Sequence, residues 1–253
     1  MIDIDMIRDL TNAFGPSGFE EEVVKVIGRY LKDMEVENDA MNNVYAWFRN
    51  SGAPDTYGTG SGFPGNAGSR RRPVIMLDAH TDECGFMVQG IMDNGLLSMV
   101  MLGGMDLASL PAHTVLVRTR SGKKVRGIIT SRPVHFMTEK EKNAPLDIEG
   151  LYIDVGASSR EEAEETYGIH IGDPAAPEVA FDYDGDHGLC FGKAFDNRLG
   201  CACVIQTMRE LKDADQELAV DVAGAFAAQE EVGMRGAGVT AARIQPDLAI
   251  VFE

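Results

Sequence analysis

A chain of 253 residues that is 44% hydrophobic and 25% charged can bury a sizeable core, as one large domain or two smaller ones. Its 23 Lys and Arg against 40 Asp and Glu give a formal net charge of -17, which repels nucleic acid and anionic membranes and attracts cations. No apolar run is long enough to span a bilayer, and the acidic, amphipathic start MIDIDMIRDL is not a signal peptide.

The N-terminal part reads as helical. In PSGFEEEVVKVIGRYLKDM, Ser17 followed by Glu20 has the spacing of a capping box. Phe19, Val23, Val26, Ile27, Tyr30 and Leu31 then recur at helical intervals. NVYAWF predicts a strand. The Gly-, Ser- and Pro-rich residues 50–73 predict a surface loop, with Arg70, Arg71 and Arg72 as solvated charges before the next strand. VIMLDAH predicts a short buried strand with a polar end.

From about Gly85 the texture changes. FMVQGI, LLSMVML, HTVLVRT, KKVRGIIT and GLYIDVG are short alternating runs separated by glycine and charged turns, the pattern of a small barrel or sandwich. MVMLGGM reads as core filling. One helix interrupts, SSREEAEETYG, capped by Ser158 or Ser159 and stopped by Gly168. After Gly188 longer elements return: helix DNRLGCACVIQTMRELKD, buried strand ELAVDVAGAFAAQ, helix MRGAGVTAARI and buried strand DLAIVF. Strand, helix, strand with continuous apolar strands predicts parallel pairing. The expected fold is therefore α/β: a mixed, largely parallel sheet flanked by helices, built from residues 1–84 and 188–253, with a small β-barrel domain inserted at 85–187.

The ends of the buried strands carry the chemistry. VIMLDA ends in His80, Thr81 and Asp82; the AFAAQ strand ends in Glu230 and Glu231; DLAIVF ends in Glu253; Asp196 opens a helix. In open α/β sheets ligands bind beyond the carboxyl ends of strands. An imidazole with carboxylates and no thiolate suits zinc, cobalt or manganese at a catalytic site. Taken singly these residues are ordinary: an Asp at a helix start is usually a cap, and paired Glu usually a solvated turn. Their coincidence at strand ends points to a metal. Adjacent glutamates then divide the work, one binding a metal and the other taking a proton from water. Neighbours in sequence do not flank a glycosidic bond from opposite sides, which disfavours a glycosidase. The four cysteines, Cys84, Cys190, Cys201 and Cys203, have neither zinc-site nor disulfide-framework spacing and read as reduced thiols in a cytoplasmic protein.

AHTDECGF, GKAFDNRLGCA and AAQEEVGMRGA, in this order and with PSGFEEEV and LYIDVGASSREEAEETYGIHIGD between and before them, resemble the M42 metallo-aminopeptidases. The resemblance implies a zinc-peptidase-like catalytic domain and two divalent metal ions, zinc or cobalt first and manganese as an alternative. It implies His80 on one metal, Asp196 bridging both, Glu231 on the second, and Glu253 where the family has an acidic ligand to the first. It further implies Glu230 as general base, Asp82 orienting His80, and a cis peptide bond after Asp196. The partners it implies are peptide substrates and further copies of the chain, from dimer to dodecamer, through residues 85–187.

One departure stands out. The family takes another His on the second metal, downstream of the position of Glu253, where this sequence stops. His113, His135, His170 and His187 do not occupy that position and read as surface or hydrogen-bonded histidines. The expectation is a piece of a longer protein with a weakened second metal site. Alternatives are a non-catalytic assembly or binding module and a metal-dependent deacylase on the same fold. Lys193 and Arg198, near Asp196, are candidates for an acidic-substrate pocket, or else a strand-end charge and a helix-surface residue.

Overall fold

The structure is a computed structural model that describes residues 3–49, 72–132, 134–139, 144–214 and 217–253. The glycine-rich stretch, with Arg70 and Arg71, lies outside the described residues. A five-stranded mixed sheet and a closed six-stranded barrel organise the rest.

The sheet runs in the order β1 (Glu35–Asn38), β2 (Val44–Phe48), β12 (Asp221–Ala227), β3 (Val74–His80), β13 (Leu248–Val251). β1 with β2 and β2 with β12 are antiparallel, while β12 and β13 flank β3 in parallel. Alternation along β12 explains its burial on both faces. Val222 and Phe226 join Leu10, Ile27, Val204 and Met208 in a core beneath α1 (Ile4–Asn12), α2 (Glu21–Tyr30) and α3 (Phe195–Asp213). Ala223 and Ala225 face the opposite way, with Tyr45, Trp47 and Ile244 of α4 (Arg235–Ile244). Each fully buried side chain such as Leu10 or Ile27 contributes about 1.5–3 kcal/mol of transfer free energy.

The barrel closes as β4 (Gly85–Ile91), β5 (Leu97–Leu102), β8 (Leu151–Asp154), β7 (Lys124–Ser131), β6 (Thr114–Arg118), β9 (Pro174–Pro177) and back to β4. Phe86, Leu97, Ile129, Leu151 and Ile153 fill it. A hairpin of β10 (Asp182–Asp184) and β11 (Leu189–Phe191) returns the chain toward α3. The sequence pattern missed β1, β9 and this hairpin. β9 is the four-residue run PAAP, whose pairing is imposed by strands on both sides rather than by propensity.

Local expectations changed in four places. Helix α2 starts at Glu21 with no side-chain cap, because Ser17 and Glu20 bond elsewhere. In SSREEAEETYG only a wide turn, Glu162–Thr166, forms; Ser159 Oγ does accept the Glu162 N–H at 3.1 Å. Arg72 is not a solvated charge: it donates to the Leu218 carbonyl and lies 3.6 Å from Asp221. DLAIVF forms a strand, but an exposed one. Leu248, Ile250 and Val251 are 55%, 45% and 60% exposed. β13 pairs only with β3 among the described residues, and an apolar run records a capacity for burial, not the element that supplies it.

Candidate metal centre at the strand ends

Register brings the chemistry together. Ala227 of β12 lies opposite His80 of β3, and Val251 of β13 opposite Asp78. Continuing the second register by two residues sets Glu253 level with His80. The residues following β3, β12 and β13 thus emerge at one edge of the sheet.

His80 is 3% exposed. Its Nε2 is 2.9 Å from Asp196 Oδ1 and 4.0 Å from Glu230 Oε2, and its Nδ1 is 3.4 Å from Asp82 Oδ1. Burial opposes the imidazolium, but the carboxylates of Asp82 and Asp196 overcome it and raise the pKa to about 9. Donor atoms of His80, Asp196 and Glu253 all lie within 4.8 Å of one another.

Asp196 reaches this cluster through an irregular helix start. Ala194 has φ 54°, the Asp196–Asn197 peptide is cis, and both residues have non-helical backbone. The cis bond agrees with the expectation drawn from the resemblance. Asn197 Nδ2 donates to the Phe252 carbonyl at 2.7 Å and to Glu253 Oε2 at 3.2 Å, tying the two acidic segments together.

Asp82, fully buried, accepts from Ser17 Oγ at 2.5 Å, from the Glu230 N–H at 2.9 Å and from the Glu231 N–H at 3.1 Å. Burial pushes its pKa up; the nearby His80 imidazole and the bonds from Ser17 and Glu230 outweigh this and hold it below its ordinary value. Two residues earlier, Asn43 Oδ1 accepts the Ala228 N–H at 2.8 Å, and Glu20 Oε1 accepts the Gln229 N–H at 3.2 Å. Four consecutive N–H groups, 228 to 231, are therefore each captured by a buried side chain. Gly236 closes the loop. Its N–H bonds the Ala228 carbonyl at 2.9 Å, and a Cβ there would stand 2.2 Å from that oxygen, so only glycine fits.

The adjacent glutamates then part. Glu230 faces His80; burial raises its pKa, His80 opposes this, and the neighbouring carboxylates add to the rise. Glu231 lines a cavity of about 390 Å³ with Cys84, Lys193 and Asp196, while the Cys84 thiol itself donates to the Gly104 carbonyl at 3.3 Å. Burial and Glu231 push the Cys84 thiol up to about 12. Cys84, Ser17, Glu20 and Asn197 are site residues that sequence reasoning did not single out for the site. Only adjacency to the motif residues signals Cys84 and Asn197, while Ser17 and Glu20 lie in PSGFEEEV, whose spacing reads as a helix cap.

The two candidate pocket cations are both held by protein partners. Arg198 is fully buried and donates to the carbonyls of Thr81, Leu10, Ala13 and Gly15 at 2.6, 2.6, 3.2 and 3.4 Å. It is not a helix-surface residue, because α3 presents it inward at the strand end. Lys193 grips both oxygens of buried Glu83 at 2.6 and 2.8 Å. Desolvation lowers its pKa, against the pull of Glu83. His113, His135, His170 and His187 are exposed and outside the cluster; His187 pairs with Asp184 at 2.7 Å. All four cysteines are free.

The donor chemistry fits one divalent cation: an imidazole held from behind by Asp82, plus carboxylates from Asp196 and Glu253. A second set is not assembled to the same degree. Asp196 and Glu231 line one cavity, but among the described residues no third ligand completes a group with them.

This sheet, joined to a closed barrel, superposes on solved aminopeptidases. The chain belongs to the M42 family: the model of M42 glutamyl aminopeptidases matches residues 60–253. The Escherichia coli K12 protein FrvX is 34% identical over 254 residues, covering the whole of this chain and 64% of FrvX. A TET aminopeptidase from a marine sediment archaeon of the Thaumarchaeota is 36% identical with a TM-score of 0.85, over 98% of this chain and 65% of that one. The TET1 peptidase of Pyrococcus horikoshii, reported to assemble into a tetrahedron or an octahedral shell, is 28% identical with a TM-score of 0.79, over 98% and 67%. The chain thus spans about two thirds of the length of these proteins. No helix among the described residues is long and apolar enough to cross a membrane.

Proposed function

We propose that this chain carries the catalytic residues of a metal-dependent aminopeptidase that hydrolyses N-terminal residues from peptides. The observation that carries the reading is the His80, Asp196 and Glu253 cluster, with donor atoms within 4.8 Å and Glu230 beside it. His80, Asp196 and Glu253 would hold one divalent cation, zinc, cobalt or manganese; Asp196 and Glu231 would contribute to a second, more weakly held. Such a cation supplies a Lewis acid that acidifies water and polarises a carbonyl.

The chain's own residues do the rest. Glu230, whose pKa is raised by burial, takes the proton of the attacking water and delivers it to the leaving amine. Asp82 holds the imidazole and both glutamate N–H groups in place. The barrel, at residues 85–187, serves as an inserted dimerisation domain between catalytic parts 1–84 and 188–253. The assemblies of the TET1 relative support this, and the free thiols suit a cytoplasmic setting.

Elemental analysis of the purified chain, equilibrated with zinc or cobalt, tests the reading together with hydrolysis of aminoacyl p-nitroanilides. One to two metals per chain with turnover supports it; no bound metal would sink it. A second reading, a non-catalytic assembly module, is favoured by the incomplete Asp196–Glu231 set and predicts oligomers without turnover. A deacylase on the same site would turn over N-acyl substrates instead.

A further inference from the structure

The loop before α2 sends two side chains into the candidate site that neither bind the cation nor move a proton in the scheme above. Ser17 is 5% exposed and Glu20 fully buried. Ser17 Oγ donates to Asp82 Oδ2 at 2.5 Å, and the same oxygen accepts the Glu231 N–H at 3.1 Å. Asp82 Oδ1 accepts the Glu230 N–H at 2.9 Å and faces His80 Nδ1 at 3.4 Å. This carboxylate can serve three segments only if its plane is fixed, and among the described residues Ser17 is the one side chain from another segment that donates to it. Glu20 Oε1 accepts the Gly18 N–H at 2.7 Å and the Gln229 N–H at 3.2 Å, anchoring the same loop one residue upstream. Phe19 N–H bonds the Pro16 carbonyl at 2.9 Å, and Glu83 N–H bonds the Gly15 carbonyl at 3.0 Å, so Ser17 sits on a braced turn.

We infer that Ser17 is a positioning residue. Through Asp82 it sets the orientation of His80 and the divergence of the Glu230 and Glu231 side chains. The inference rests on reading His80, Asp196 and Glu253 as a metal set. Groups behind metal ligands commonly change affinity 10- to 100-fold when removed.

The test is a cobalt(II) titration of the 253-residue chain, against a competing chelator, followed by visible absorption, with thermal melts alongside. Ser17→Ala should bind cobalt about 10-fold more weakly, with a changed absorption envelope. Ser17→Thr, which keeps the hydroxyl, should return both toward wild type. Should Ser17→Ala fail to fold, Ser17→Cys, nearly isosteric and a weaker donor, makes the same comparison and should fall between. Ser17→Ala with a lowered melting temperature but wild-type affinity and spectrum would reduce Ser17 to a structural residue and overturn the inference. A wild type that binds no cobalt overturns the metal reading itself and this inference with it. The two failures are told apart by which protein fails.

Discussion

Asp82 and Glu230 are 148 positions apart in sequence, yet Asp82 Oδ1 accepts the Glu230 backbone N–H at 2.9 Å. The bond joins the ends of two parallel strands, and with the Glu231 N–H on Oδ2 it holds two adjacent glutamates by their backbones. Their side chains are left free to face different partners, His80 for one and Cys84 for the other.

That division predicts the outcome of Glu230→Gln. The amide keeps the shape but cannot accept a proton. Metal content should stay at the wild-type level while turnover of an aminoacyl p-nitroanilide falls by about 10²–10⁴-fold. Retained turnover would remove Glu230 from the role of base.

His80→Ala takes away the only imidazole in the cluster. Cobalt affinity should drop by at least about 10-fold by equilibrium dialysis. Unchanged metal content would mean that the ligands lie elsewhere.

Arg198→Met leaves the carbonyls of Leu10, Ala13, Gly15 and Thr81 without their donor in a fully buried position. Loss of about 3–5 kcal/mol is expected from urea denaturation. A change near zero would mean that water or backbone shifts satisfy those carbonyls.

Asp39 supports the site from further back. It accepts from Asn43 Nδ2 at 2.9 Å and Tyr45 OH at 2.8 Å, and Asn43 in turn holds the Ala228 N–H. Burial raises its pKa, but the bonds from Asn43, Tyr45 and Met41 outweigh this and keep it below 3.8. A depressed carboxyl contributes stability above its unfolded value, and that contribution is lost as pH falls through the folded one. Asp39→Ala should therefore cost about 2 kcal/mol at pH 7. The gap from wild type should narrow as the pH drops below 3.8. A gap independent of pH in acid would rule out the carboxylate as its source.

Gly236→Ala places a Cβ against the Ala228 carbonyl. Destabilisation of about 1–3 kcal/mol is expected in thermal melts, with weaker cobalt binding because the 228–231 loop must move. Wild-type behaviour in both would show the loop to be slack.

Much of this protein was legible before folding. Apolar runs such as VIMLDA and VAGAFA marked strands β3 and β12, because burial on both faces leaves no polar alternation to confuse. Their polar tails, His80 to Asp82 and Glu230 to Glu231, marked the site, because strand ends are where an open sheet leaves room for a ligand. Tertiary structure decided what local pattern cannot encode. Ser17 and Glu20 have the spacing of a helix cap, but a buried carboxylate and an unpaired N–H elsewhere in the chain compete for them, and those long-range bonds prevailed. Arg198 reads as an exposed helix residue until the strand packing turns it onto four carbonyls. β9 exists only because β4 and β6 pair with it, and β13 is exposed only because pairing is a property of neighbours. Sequence determined which residues could bind, bury or donate; the fold, through register and close packing, determined which of them meet.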